Sequence, residues 1–195
     1  AAGPGRHARP RQPVREEEVI PVLETERLVM RGWKAGDFDA MAAFLADEAL
    51  TRFVGGTSGR DDAWRRFASM AGHWLLRGHG LWALEAKDDR RVVGWCGLLS
   101  PEGWPEPEIG WSLFAGEHGR GYATEAALRA RDYAYRDLGW TTLMSLIHSD
   151  NRPSIRVAER LGAGFEKTFV IRGSEVGIYR HPAPEPAKQK PANLN

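Results

Sequence analysis

The run EHGRGYATEA, Glu117 to Ala126, places Gly119 and Gly121 two apart with Arg120 between them, then passes directly into good helix formers. No Ser, Asp or Asn stands just before this turn to accept from the first backbone N–H groups of the helix. A glycine loop at a helix start exposes converging N–H groups at the positive end of the helix dipole, an arrangement that suits phosphate. Arg120 adds a fixed positive charge. The plainer reading is a turn whose glycines permit φ > 0 and whose amides are hydrated. A Gly-x-Gly pair alone supports either. Two familiar phosphate binders are absent: a dinucleotide fingerprint wants a third glycine where Thr124 stands, and a P-loop wants Gly-Lys-Ser/Thr.

Other reactive side chains are sparse. Cys96 sits mid-strand in VVGWCGLL, where a buried thiol acts as a small hydrophobe. An acyl-cysteine intermediate would need exposure and a nearby base. His73, His118 and His148 have no metal spacing, and with one cysteine no zinc site is assembled. Asp61 and Asp62 read as cap residues of a following helix. Asn151, just before Pro153 and IRVAERLG, suits a helix start as well.

The elements that must carry these groups alternate along the chain. RLVMRGW (27–33), LWALEA (81–86), VVGWCGLL (92–99), EIGWSLF (108–114) and TTLMSLIH (141–148) read as strands, and FEKTFVI with EVGIYRH closes the domain as a strand pair. Helices are expected over Ala35–Ala46, Asp61–Arg77, after Gly121, and near Pro153. From Ala123 the stripe Ala123, Ala126, Ala127, Ala130, Tyr133, Ala134 and Leu138 is that of a helix lying close on a sheet, with Glu125, Arg129, Asp132 and Arg136 turned outward. Helices interleaved with strands make a single α/β or α+β domain around one mixed sheet.

Bulk properties bound the rest. A chain of 195 residues, 42% hydrophobic, suffices for one buried domain with length left for tails. The Pro-, Gly- and charge-rich ends, 1–22 and 182–195, are expected to be disordered tails around a domain over 23–181. Lys and Arg number 27 against 26 Asp and Glu, so a net charge of +1 supplies no field to recruit nucleic acid or an anionic membrane. No apolar run approaches the roughly 18–20 residues of a membrane span, and no signal-peptide core is seen at the start. A single cysteine fits a reducing compartment. A cytoplasmic protein is the expectation.

His118-Gly119-Arg120-Gly121-Tyr122-Ala123 resembles the Gln/Arg-x-x-Gly-x-Gly/Ala segment of the GNAT superfamily of acyl-CoA N-acyltransferases, apart from His118 in the first slot. GRGYATEA, LETERLVMRGW (23–33) with Asp37 after it, and NRPSIRVAERLGAGFEK (151–167) resemble the Rim-type branch, which acetylates N-termini of ribosomal proteins. The likeness runs colinearly from Leu23 to Tyr179. It implies a mostly antiparallel mixed sheet flanked by helices, with a V-shaped splay between the fourth and fifth strands, EIGWSLF and TTLMSLIH.

The resemblance also implies acetyl-CoA as donor, without a metal. Its pyrophosphate would lie on the amides of Gly119, Arg120, Gly121, Tyr122, Ala123 and Thr124, with His118 also among the cofactor-binding residues, and Asn151 would contact the pantetheine arm. Ser154 matches a Ser near the cofactor sulfur, where it can steady or protonate the thiolate. Many members place a Tyr acid seven residues after the Asn, and that slot here is Ala158. Glu108 is the candidate general base, acting through water on the incoming ammonium, against a plain role as a solvated strand-end carboxylate. Glu85 is a second candidate. An α-amine with a pKa of about 7.7–8.0 needs less help than a Lys side chain at about 10.4. Trp33, Phe53 and Trp82 are expected to line the acceptor pocket, and VGGTSGR (54–60) is a flexible loop that covers it or joins two helices.

These readings predict an N-acetyltransferase that acts on a primary amine, either a protein N-terminus or a small molecule, by direct attack in a ternary complex. A sensor of the same fold that binds CoA without turnover, and a Gly-loop nucleotide binder, are the alternatives. Dimerisation, common in the family, stays open.

Overall fold

The computed structural model describes residues 20–184, so the expected tails lie outside the described residues apart from 20–22 and 182–184. Eight strands form one open sheet. They are β1 (Leu23–Glu24), β2 (Leu28–Arg31), β3 (Leu81–Ala86), β4 (Val92–Leu99), β5 (Glu108–Leu113), β6 (Met144–Ile147), β7 (Gly164–Ile171) and β8 (Ser174–Arg180). The spatial order is β1-β2-β3-β4-β5-β6-β8-β7. Every pairing is antiparallel except β5 with β6. A parallel pair cannot be closed by a hairpin and needs a crossover. Here the crossover is α4 (Tyr122–Arg136).

The remaining helices are α1 (Phe38–Ala46), which follows a 3-10 turn at Ala35–Asp37, then α2 (Glu48–Thr51), α3 (Arg60–Arg77) and α5 (Arg152–Arg160). The one-turn α2 is too short to leave a periodic signal in the sequence. Asp47 caps it, its side chain accepting from the N–H groups of Ala49 and Leu50. Asp61 and Asp62 stand in the first turn of α3 rather than ahead of it, where Gly59 holds the cap position. Their carboxylates therefore face the dipole's positive end without closing the helix.

Central strands β3 and β4 are buried on both sides, as near-continuous apolar runs must be. On one face α4 lays Ala123, Ala126, Ala127, Ala130 and Ala134 against the sheet, packing with Met30, Leu84, Cys96, Leu98 and Ile109. Its alanines, all buried, let the helix axis come close. The opposite face is filled by larger helical side chains: Met41, Phe44 and Leu45 of α1 and Phe67 of α3 pack with Trp33, Ala83 and Trp95. Burial of such side chains contributes on the order of 1.5–3 kcal/mol each.

One residue of α4 departs from the outward orientation expected of it. Glu125 reaches back to the start of β2, accepting from Thr25 Oγ1 (2.5 Å), Arg27 N (2.8 Å) and Arg27 Nε (2.7 Å). The opening strand and the glycine loop are thereby fastened together.

Candidate active site

Strands β5 and β6 meet at a single register pair, Glu108 with Met144, and then separate. Side chains bridge the gap above it. Leu146 N donates to Glu108 Oε1 (3.2 Å), and Ser145 Oγ donates to the Ile109 carbonyl (2.7 Å). Because that hydroxyl proton is already committed, Nε2 of His181 donates to Ser145 Oγ at 3.0 Å. Burial pushes the pKa of His181 down to about 4, with Arg131 and Arg180 adding to the effect, so the ring is neutral near pH 7. No sequence motif marks this brace, whose members come from β5, β6 and the segment after β8.

Two cavities flank the opening. The larger, about 910 Å³, runs past the start of α4 and along α5, and its walls include His118, Gly119, Gly121, Ala123 and Thr124. The smaller, about 440 Å³, lies between β4, β5, β6 and the β7–β8 hairpin, and it contains Glu108. Phe53, Val54, Trp111, Asn151 and Ser154 border both.

The larger cavity is lined by groups able to hold an anion. Gly119 (φ 78°) and Gly121 (φ 84°) are left-handed, a conformation that side chains rarely adopt. Gly121 is the N-cap of α4 and supplies no side-chain hydrogen bond, so the missing cap read from the sequence is a structural fact. Nothing lies within 4 Å of a Cβ built on Gly119. Arg120 and Tyr122 are different. Their side chains do not line the cavity: Arg120 leans towards Glu117 (3.7 Å), and the Tyr122 ring is buried beneath the Arg27 guanidinium (4.8 Å to its centroid).

Asn151 caps α5, its side-chain oxygen accepting from Ser154 N at 3.3 Å. This holds both residues at the common border. Ala158, in the slot where many GNAT enzymes carry a Tyr, is buried among Ile147, Ile155 and Ala163 and reaches neither cavity.

The smaller cavity is mostly apolar. Trp95, Trp104 and Trp111 contribute three indole walls, with Leu99, Ile171 and Val176 between them. Glu108 is no solvated strand-end carboxylate. Its Oε2 accepts from Trp104 Nε1 at 2.5 Å, and burial pushes the carboxyl up to about 7 against the lowering effect of the Trp104 and Leu146 hydrogen bonds. Glu85, the second base candidate, is spoken for. It accepts from Arg31 Nε (2.6 Å) and pairs with Arg90 (2.6 Å), while Arg31 also grips Asp37, so this cluster ties β2 to β3 away from the splay.

Of the three aromatic residues expected at the acceptor pocket, only Phe53 reaches it. Trp82 is fully buried on the α4 face, wedged against Trp74 and Tyr133, with Nε1 donating to the Pro21 carbonyl (2.8 Å). Trp33 packs edge-on to Phe67 in the core beneath α1 and α3. Strand alternation accounts for Trp82, since a large aromatic on β3 can point into either layer, whereas Trp33 lies past the end of β2 and is covered by α1 and α3. The glycine-rich 54–60 loop joins α2 to α3 and is pinned. Arg66 donates to the carbonyls of Val54 (2.6 Å) and Gly56 (3.1 Å) and to Ser58 Oγ (2.9 Å).

Cys96 is fully buried and burial raises its thiol pKa, which removes the thiolate that an acyl-cysteine route needs. Among the described residues, no three His, Cys, Asp or Glu side chains gather as a metal would require. No helix there is long and apolar enough to cross a membrane.

The chain belongs to the GNAT acetyltransferases: the family model described as an acetyltransferase (GNAT) domain matches residues 27–164. A crystal structure of an acetyltransferase from Agrobacterium tumefaciens superposes with a TM-score of 0.77 at 32% identity, covering 91% of this chain and 99% of that one. The uncharacterized protein YkkB of Bacillus subtilis is 35% identical over 108 residues, which span 53% of this chain and 62% of YkkB. RimL, a ribosomal-protein α-N-acetyltransferase solved in complex with coenzyme A, has a TM-score of 0.69 at 15% identity, covering 82% of this chain and 97% of RimL. At that identity the likeness is one of fold.

Proposed function

We propose that this acetyltransferase moves the acetyl group of acetyl-CoA to a primary amine by direct attack, with both reactants bound at once. The observation that carries the reading is the shared border. A cavity suited to a phosphate-bearing donor and a cavity ending on a base of suitable pKa open onto the same five residues at the splay. Two reactants held there are aligned without an acyl-enzyme intermediate, and alignment is a major source of acceleration for such a transfer.

In this scheme the amides from Gly119 to Thr124 receive the pyrophosphate, and Arg120 and Tyr122 contribute backbone rather than side chain. Asn151 positions the pantetheine arm. Glu108, through water, takes the proton from the ammonium. With its pKa at about 7 it matches an α-amine at about 7.7–8.0 far better than an ordinary carboxylate would. The neutral nitrogen attacks the thioester carbon, a strand N–H steadies the oxyanion, the C–S bond breaks as the nitrogen sheds its second proton, and Ser154 or water passes a proton to the thiolate and is restored by the one the nitrogen releases.

The test is thiol release from acetyl-CoA over a panel of amines, with the acetylated product identified by mass spectrometry. Steady release with product is expected. Saturable acetyl-CoA binding with no release across a broad panel would replace this reading with the sensor.

A further inference from the structure

Gly110 lies in the middle of β5, between Glu108 and Ser112 on the same face of the strand and opposite Gly97 of β4. A glycine inside a strand weakens it and calls for a reason. For Gly97 the reason is packing: a Cβ there would fall 2.2 Å from the Gly80 carbonyl oxygen. No such crowding applies to Gly110. Its φ is not positive, and a Cβ would sit at ordinary contact distances, 3.8 Å from Leu99 Cδ1, 3.8 Å from Trp95 Cζ3 and 3.9 Å from Glu108 Oε1. The fold would accept a side chain at this position. What a side chain would take away is the space beside Glu108, in the floor of the smaller cavity.

The rest of that cavity says what the space is for. Its walls are mainly aromatic and aliphatic, with Ser145, Asn151, Ser154 and Ser174 as neutral polar members, and among the described residues Glu108 is the only carboxylate that lines it. Among the described residues the only guanidinium there is that of Arg172, stacked 4.9 Å from the Trp104 ring. An acceptor with several positive charges would meet one carboxylate and one opposing cation. Burying its remaining charges unpaired would be costly. An amine on an aromatic or bulky apolar body instead sets one nitrogen at Glu108 and its body against the tryptophans, where ring–ring packing adds to burial.

We infer that the acceptor is a monoamine carried on an aromatic or bulky apolar group, and that Gly110 is the specificity-determining position that admits this group beside Glu108. This rests on the amine-acetylation reading above, and the test separates the two.

Thiol release is measured with 2-phenylethylamine, methylamine, spermidine and kanamycin, and binding of the same amines to protein saturated with CoA is measured by calorimetry. The expected kcat/KM for 2-phenylethylamine exceeds those for spermidine and kanamycin by about tenfold or more. Gly110→Leu should lower it about tenfold more than it lowers kcat/KM for methylamine, chiefly through KM, since filling a pocket by a few methylenes discriminates at this level. Gly110→Ala, whose added methyl meets only ordinary contacts, should shift the ratio in the same direction by less, and so guards against a misfolded Leu variant. A preference for the polycations, or equal losses on both monoamines, overturns the inference and leaves the transferase standing. Binding of 2-phenylethylamine that weakens in the Gly110 variants, with no thiol release from any amine, supports the inference and overturns the transferase reading. Absence of both binding and release for 2-phenylethylamine overturns the inference.

Discussion

The two cavities share five border residues and are otherwise built from different material. The larger owes its character to main chain: two left-handed glycines and the uncapped start of a helix whose alanines bring it close to the sheet. The smaller owes its character to side chains: three indoles and one buried carboxylate between residues 95 and 111, enclosed by a lining spread from residue 53 to residue 176. A main-chain site is a local property and leaves a local mark. A side-chain site depends on which face each strand residue takes and on what later elements fold over it, and no short motif records that.

Legibility follows the same division. EHGRGYATEA announces an uncapped helix within one short run of letters, and both its glycines and its bare N-cap are in the structure. Trp82 defeats placement from sequence because strand register decides which packed layer it joins, and Trp33 because α1 and α3 fold over it from outside the sheet. Helical periodicity sees the polarity of Glu125 and turns it to solvent, whereas its partners Thr25 and Arg27 stand about a hundred residues earlier. Trp104 is invisible as a partner of Glu108. It lies in a Pro- and Gly-rich turn with no periodicity to orient it, yet its indole N–H holds the carboxylate.

If the smaller cavity is the side-chain half of an acid–base site, its largest dependence falls on one atom pair. Glu108→Gln should reduce kcat/KM by roughly 10²–10³, within the usual range for a lost general base. The pH profile sharpens the point. A base whose pKa is about 7 must be ionised to act, so wild-type kcat/KM should rise as pH climbs through 7, and the variant should lose that limb. Stability carries the opposite sign. The folded state holds this proton more tightly than the unfolded chain, so the contribution of Glu108 is present below the ordinary carboxyl range and is lost as pH rises through about 7. Melting scans should therefore show Gln gaining on Glu between pH 5 and pH 8. A variant that keeps both the rate and the acid limb would show that the carboxylate has no part in proton transfer.

The main-chain half should break in a different manner. Gly121→Val places a β-branched residue at φ 84° and sets its Cβ 3.2 Å from Arg27 Nη2. Strain of about 1–3 kcal/mol at such positions, together with a side chain intruding on the amides, should weaken acetyl-CoA binding by roughly 30- to 100-fold. The acid limb set by Glu108 should persist at saturating donor. Calorimetric titration with acetyl-CoA and a pH profile on the same protein measure both. Unchanged donor affinity would remove the pyrophosphate from this loop, and a shifted acid limb would mean that the two halves are coupled rather than separate.

The smallest effect probes how the main-chain half is held in place. Arg27 donates to Glu125 and to the Arg120 carbonyl (2.8 Å), and its guanidinium covers Tyr122, so one side chain touches three residues of the loop and the first turn of α4. None of these contacts faces the smaller cavity. The Arg27 side chain is 44% exposed, so solvent screens the pair with Glu125 and its worth lies below about 1 kcal/mol. Arg27→Ala should accordingly raise the acetyl-CoA Kd only about threefold, leave the amine KM alone and shift Tm by a few degrees at most. Glu125→Gln should do nearly the same. Their ion pair is the side-chain contact the two variants share, so the double variant should be worse than either single one by less than the sum of the two, a non-additivity that a double-mutant cycle on Kd reads directly. Full additivity would mean that loop and strand are fastened by something other than this pair. A matching rise in amine KM would mean that the loop's position is felt across the shared border.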